Sequence, residues 1–400
     1  MTLPTVLIAH NRYQQPGGED QVFEAERALL ARHGHRVITY EVHNDAVRDL
    51  STTQLAAATV WNGRSYGAIR SLIRRERPDY AHFHNTFPLL SPAVYYAARR
   101  EGVPVVQTLH NYRLLCPNAM LFRDGHPCHD CVGRLVAWPG VRHRCYRHSA
   151  GASAGVAALI GVHRLLRTWR HAVDVFVTMT PFGRDRFVEA GLAADQIIVK
   201  PHFLDPDPGM GTADDPHVLY VGRLAEEKGI RVLLDAWNML ETAPPLRILG
   251  DGPLAGLVRE RAARHGGIEI LGWRPVDEVL EAMKRARLLV VPSIWYETFG
   301  LVIIQAFATG VPVLASDLGA MASLVRHGEN GLRFRAGDPA DLARQVRWAL
   351  SRPAELATIR SQARREYEEL FTADRNYAAL MEVYATAARR AQRTDRRRAG

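Results

Sequence analysis

Short β-rich runs alternate with helical patterns along all 400 residues, which predicts an α/β protein built from parallel sheets with crossover helices. Two further observations make this a pair of doubly wound, Rossmann-like domains. The chain is about twice the usual domain length. Near its middle, residues 204–211 read Leu-Asp-Pro-Asp-Pro-Gly-Met-Gly, a polar stretch without hydrophobic periodicity. The expected division is an N-terminal domain 1–204, a linker 205–211, a C-terminal domain 212–385 and a basic tail 386–400.

In the first domain strands are expected at residues 6–9, 36–40, 80–83, 103–108, 173–179 and 197–201. The second should hold strands at 217–221, 246–249, 268–271, 288–291 and 311–315. These short apolar runs are bounded by turn residues, as parallel strands buried on both faces require. In doubly wound sheets ligands bind beyond the C-terminal strand ends, so two facing domains place the site in a cleft between them.

A hydrophobic content of 47% supplies two cores. No apolar run reaches the roughly 18 to 20 residues of a membrane span; the longest, residues 151–162, is rich in Gly and Ala and stops at His163 and Arg164. The first ten residues lack the features of a secretory signal, so a cytoplasmic protein is expected. The net charge of +9 favours an anionic partner. Nucleic acid is excluded as that partner, because the Arg residues are dispersed and no basic run is interleaved with stacking aromatics. The tail, with Arg389, Arg390, Arg393, Arg396, Arg397 and Arg398, is expected to fray. Arg64, Arg70, Arg74, Arg75 and Arg77, and again Arg164, Arg167 and Arg170, lie on helical patterns that also carry Trp61, Leu72, Leu165 and Trp169. Basic amphipathic helices suit peripheral contact with an anionic membrane, here its inner face. A solvated Arg face accounts for the same pattern.

The segment from Pro292 to Ser316 is the most informative. It reads as the end of a buried strand, a loop carrying Glu297, a helix opening at Gly300, a Gly stop and another buried strand. A helix N-terminus offers free N–H groups and a positive dipole end to an anion, while a carboxylate accepts hydrogen bonds from hydroxyls. A sugar nucleotide has both characters. The segment resembles the donor-site signature of the retaining GT-B glycosyltransferases of the family 4 type, in which a Pro-Ser loop leads to Glu, seven residues and a second Glu. Here the second acid is Gln305.

Around Gly222 the chain runs from a strand through a tight turn to Arg223 and Lys228, two cations five residues apart that can converge on one anion. With the family's Gly-Arg, four residues and Lys-Gly pattern matched, the resemblance implies that both grip the diphosphate and stabilise the charge of the leaving group. It also implies Glu297 on the sugar hydroxyls, backbone N–H groups of Phe299, Gly300 and Leu301 on the sugar or phosphate, and Gln305 on the ribose. The loop Gly17-Gly18-Glu19-Asp20 after the first strand matches the family's glycine loop and brings Gly18 to the donor or acceptor. His110, ending the strand of residues 105–109, falls where the family has a His at the reacting centre; His82 and His84 are weaker candidates. Residues 377–388 correspond to the last helix of the family, which crosses back to the first domain.

Gly250-Asp251-Gly252 fits a dinucleotide fingerprint, with Glu269 as its ribose ligand; in the resembled family this loop, through Gly250 and Gly252, lines the nucleoside pocket instead. Asp205-Pro206-Asp207 resembles a metal-binding acid pair but reads as linker. All four cysteines, Cys116, Cys128, Cys131 and Cys145, fall within thirty residues, in an insertion at 112–149. Cys128-His129-Asp130-Cys131 is a Cys-x-x-Cys knuckle, so a structural zinc is expected in preference to disulfides.

The expected function is sugar transfer with retention from a nucleoside diphosphate sugar to a glycan, lipid-linked or small-molecule acceptor, in cell-surface polysaccharide or glycoconjugate synthesis, with no catalytic metal. A non-catalytic nucleotide-sugar-binding module and a sugar-nucleotide epimerase stay open, and an NAD-dependent oxidoreductase rests on Gly250 alone.

Overall fold

The structure, a computed structural model, describes residues 3–14 and 17–399, with side chains through Arg393. It divides into two compact units. The first takes the chain up to Leu121, His129–Lys200 and the stretch from Tyr377; the second takes Phe122–Cys128 and Pro201–Asn376.

The strands of the first unit are β1 (Val6–Arg12), β2 (Val37–His43), β3 (Tyr80–Phe83) and β4 (Val105–Thr108). A two-strand hairpin, β5 (Phe122–Arg123) and β6 (His126–Pro127), interrupts before β7 (Val175–Thr178) and β8 (Ile197–Val199). The sheet is six-stranded in the order β2-β1-β3-β4-β7-β8, parallel at every pairing. Its central strands are buried along their whole length, which is why they read as unbroken Val-rich runs. The edge strand β2 has no fully buried residue.

The second unit holds β9 (Val218–Val221), β10 (Leu246–Leu249), β11 (Ile268–Gly272), β12 (Leu288–Val291), β13 (Val313–Ser316) and β14 (Leu332–Phe334). These form a six-stranded sheet ordered β11-β10-β9-β12-β13-β14, also parallel. Trp237 and the buried faces of the surrounding helices pack against Val218, Ile248, Val290 and Leu314. In each sheet the strand order reverses beside the first strand, between β1 and β3 and between β9 and β12. That reversal opens a crevice beyond the C-terminal strand ends.

The last helix, Ala373–Ala399, sets Leu380, Val383, Tyr384 and Ala387 against Val6, Val106, Val175 and Val177 of the first unit. The return of residues 377–388 expected from the sequence is thus present, so the C-terminal domain gives up the part of 212–385 that follows Asn376. Where the tail 386–400 was expected to fray, the helix continues to Ala399; the side chains of Arg396, Arg397 and Arg398 lie outside the described residues. The insertion 112–149 is mostly turns, with the hairpin and the helix Trp138–Arg142 as its regular parts.

Candidate active site

Topology places the loops after β9, β10 and β12 side by side at the reversal of the second sheet. The β10 loop lies directly on the β9 loop: a Cβ at Gly250 would sit 1.9 Å from the Gly222 carbonyl oxygen, and one at Gly252 2.6 Å from that of Leu224. The backbone of Leu224 donates to Asp251 O (2.9 Å) and that of Leu254 to Leu224 O (2.9 Å), tying the loops together. This stacking accounts for both glycines without a dinucleotide. Glu269, the ribose ligand of the fingerprint, is ion-paired with Arg247 (2.8 Å).

The same packing delivers Lys228 to Glu297. Gly229, at φ +69°, lets the turn press against Pro292, and Ile294 N–H donates to Glu227 O (2.9 Å). Lys228 Nζ then donates to Glu297 Oε1 (2.7 Å), as does Ser293 Oγ (2.8 Å). The ammonium also lies 5.4 Å from the Trp295 ring centroid. Burial would raise the Glu297 carboxyl, but the charge and hydrogen bond of Lys228 and the Ser293 hydroxyl outweigh it, and the group is held below the usual carboxylate range. Arg223 pairs with Glu227 while its side chain stays 59% exposed. It can therefore turn toward an anion at little cost.

Just beyond Glu297, the helix Leu301–Thr309 begins at Gly300 with φ +108° and no side-chain cap. Phe299 is buried against His202 and Phe371, which fixes the approach to the helix start. Gln305, one turn deeper, is 9% exposed, and its side chain makes no hydrogen bond among the described residues. The second unit thus gathers a cation, a carboxylate, an uncapped helix end and an unused amide. Asp207, by contrast, is held by Arg364 (2.6 Å), and the expected linker 205–211 lies within the second compact unit, which begins at Pro201.

In the first unit Gly18 starts the helix Gly18–Arg32, with Gly17 N–H donating to Asp20 Oδ2 (2.8 Å). His110 and His84 lie beyond the ends of the neighbouring strands β4 and β3, and Nε2 of the first is 3.0 Å from Nδ1 of the second. Together they line a cavity with Asn85, Gln107, Asn111 and Arg113. The sequence gives His84 less weight than His110, because the contact between them joins residues 26 positions apart. It also passed over Glu19, which accepts from Asn111 Nδ2 (2.8 Å) and Tyr13 Oη (3.0 Å). Burial pushes that carboxyl up; its place beside the glycine loop was the only signal in the sequence.

Cys116 and Cys131 are buried, Cys128 and Cys145 half-buried. Cys116 Sγ lies 2.9 Å from Asn118 Oδ1. In the first basic cluster Arg70 and Arg74 pair with Glu101 (2.5 and 3.0 Å) and Arg75 with Glu76 (2.7 Å).

Comparison with known proteins gives the arrangement a family. The model described as Glycosyltransferase Family 4 matches residues 16–208, and Glycosyl transferases group 1 matches residues 215–352. The D-inositol 3-phosphate glycosyltransferase of Streptomyces bingchenggensis is 35% identical over 186 residues, 43% of this chain and 40% of that protein. That of Streptomyces scabiei is 28% identical over 341 residues, 81% of this chain and 72% of that protein. Among solved structures, Anabaena HepE in complex with UDP superposes with a TM-score of 0.68 at 17% identity, covering 96% of this chain and 100% of that one. With one family model on each half and the two-sheet fold of a GT-B protein, the chain belongs to the family 4, group 1 glycosyltransferases.

Proposed function

We propose that the chain transfers a sugar from a nucleoside diphosphate sugar to a hydroxyl acceptor with retention at the anomeric carbon, in the synthesis of a surface polysaccharide or glycoconjugate. The observation that carries this reading is the Lys228–Glu297 pair at the mouth of the uncapped helix end. The diphosphate sits between that end and the cations Lys228 and Arg223, and sugar hydroxyls donate to Glu297. The bond from the anomeric carbon to the diphosphate oxygen breaks with its electron pair, the acceptor oxygen bonds on the same face, and the departing phosphate takes the acceptor proton. Cations and helix dipole stabilise the developing charge where other transferases use a metal, so turnover persists in EDTA.

The test is release of nucleoside diphosphate from donor sugars, starting with UDP-glucose because HepE was solved with it. Lys228→Ala and Glu297→Ala should each cut release by about 100-fold or more, the range for removing one transition-state contact. Thermal stabilisation by a diphosphate without release from any donor would make this a binding module instead.

Two finer parts of the reading have their own tests. Four thiols are the donor set of a closed structural zinc that performs no chemistry, but among the described residues no three of Cys116, Cys128, Cys131 and Cys145 stand close enough to share one ion, so a zinc there would require the loop to close around it; elemental analysis of protein purified without chelators should find about one zinc per chain if it does. Membrane contact is supported by a patch on the first unit where Leu135, Val136, Trp138, Leu165 and Leu166 are all exposed. Arg164 donates to Arg134 O and the Arg134 guanidinium lies 5.6 Å from the Trp138 ring centroid, so apolar and cationic groups meet as interfacial binding requires. Co-sedimentation with phosphatidylglycerol vesicles, absent with phosphatidylcholine and lost in Trp138→Ser/Leu165→Ser, would establish it.

A further inference from the structure

Beneath His110 lies a chain of ionisable groups that the transfer reaction does not use directly. His84 Nδ1 is 3.0 Å from His110 Nε2. The other nitrogen of His84 faces Glu26 Oε2 at 3.5 Å, an oxygen that His82 Nδ1 approaches at 3.8 Å, and neither His84 Nε2 nor Glu26 Oε2 makes a shorter hydrogen bond among the described residues. Glu26 Oε1 accepts from Lys200 Nζ at 2.6 Å. His82 stands beside them, its ring bonded to Thr108 Oγ1 (2.8 Å) and Tyr384 Oη (3.1 Å). The side chains of Glu26, His82 and His84 are 0% exposed and that of Lys200 1%.

The order of protons along this chain follows from chemistry. Burial opposes ionisation of Glu26, but Lys200 and the two imidazoles outweigh it and hold the carboxyl well below its usual range. A carboxylate has only lone pairs to offer, so it selects the His84 tautomer with the proton on Nε2. Burial keeps His84 neutral, with the carboxylate opposing and His10 and Lys200 assisting, which leaves its Nδ1 as an acceptor. That nitrogen can meet His110 only if His110 carries its proton on Nε2. His10, the remaining imidazole nearby, is committed to Asp20 (3.0 Å), so it does not compete for the Glu26 carboxylate.

We propose that Glu26 and His84 are positioning residues that hold His110 in one orientation and one tautomer, so that its Nδ1 is a hydrogen-bond acceptor for a hydroxyl of the bound sugar or acceptor. A core role alone would be filled as well by apolar side chains, since a buried ion pair is weak grounds for stability. The Glu26–Lys200 pair could be explained as a brace between the first helix and β8, but a brace gives no reason for the His84–His110 bond at the cavity wall.

The experiment is long-range nitrogen-15 NMR of the histidine rings, with His110 assigned by the signals missing in His110→Asn. In wild type His110 should show a protonated Nε2 and an unprotonated Nδ1 at about pH 8, above the ordinary imidazole range. Glu26→Leu/Lys200→Met removes the carboxylate without leaving a buried charge, and there His110 should show mixed tautomers. In the same variant kcat should fall by about ten-fold or more with donor KM changed by less than about three-fold, as for other outer-shell orienting groups. His84→Gln, which can donate to Glu26 and accept from His110, should retain more activity than His84→Leu. If the double variant does not fold, the His84→Leu spectrum carries the same comparison. A wild-type His110 protonated on Nδ1, or a tautomer unchanged in a folded variant, overturns the proposal. The tautomer is read without any glycosyl transfer, so it stands or falls separately from the transferase reading, on which only the kinetic arm rests.

Discussion

At the scale of single residues, the pairing of Lys228 with Glu297 makes each necessary to the other. Lys228→Met would strip the buried Glu297 carboxylate of the charge and hydrogen bond that oppose its burial, and its pKa would then move up. The expected result is a pH–rate profile whose acid limb moves upward, measured with the residual activity of the variant. Gln305→Glu adds a carboxylate where an amide already reaches, and the gain from a charge-assisted bond is about 1 kcal/mol. Donor KM should therefore fall by several-fold with kcat little changed. These residues were legible because motif spacing carries them. Glu19 and Glu26 were not, and His84 only as a weaker candidate, because their contacts join partners up to 174 positions away, as in that of Glu26 with Lys200.

At the scale of elements, the loop after β10 depends on the absence of a side chain. Gly250→Ala would drive a methyl into the Gly222 carbonyl in a backbone with φ +143°, so about 2 kcal/mol or more of stability should be lost. Gly256, inside the helix Ala255–Arg264, is the control. A Cβ there meets nothing within 4 Å, and Gly256→Ala should stabilise by about 0.5 to 1 kcal/mol through helix propensity. Chemical denaturation of both variants tests the contrast. The central strands were visible as apolar runs, whereas β14 was not. Its three residues Leu332, Arg333 and Phe334 alternate buried and half-buried, too short a signal to separate from a loop. The β5–β6 hairpin, two residues a side, was hidden for the same reason.

For the whole molecule, the last helix closes the core of the first unit from the far end of the chain. Truncation before Tyr377 would expose the partners of Leu380, Val383, Tyr384 and Ala387. Limited proteolysis should then degrade the first unit while a fragment of the second persists. Acid stability also belongs to this scale. Burial holds His82 and His84 neutral, with folded pKa values below the ordinary one, so the unfolded chain takes up their protons first as pH falls. Their contribution is full above about pH 6.5 and is lost as pH drops toward the folded values, at about 1.4 kcal/mol per pH unit per proton. Glu26 and Glu297, also depressed, extend the loss below about pH 4.3. Thermal denaturation should show the melting temperature declining from near pH 6.5, with a shallower slope in His82→Gln.

The sequence by itself determined the α/β class, the parallel sheets and the donor-site motifs, since hydrophobic period, turn residues and local spacing are properties of neighbours along the chain. Only the tertiary structure decided that Lys228 neutralises Glu297, that Gly250 and Gly252 serve the stacking of two loops, and that Glu26, His84 and His110 stand in line. Those contacts join distant segments brought together by sheet order, and their energies exist only once water has been excluded from between them.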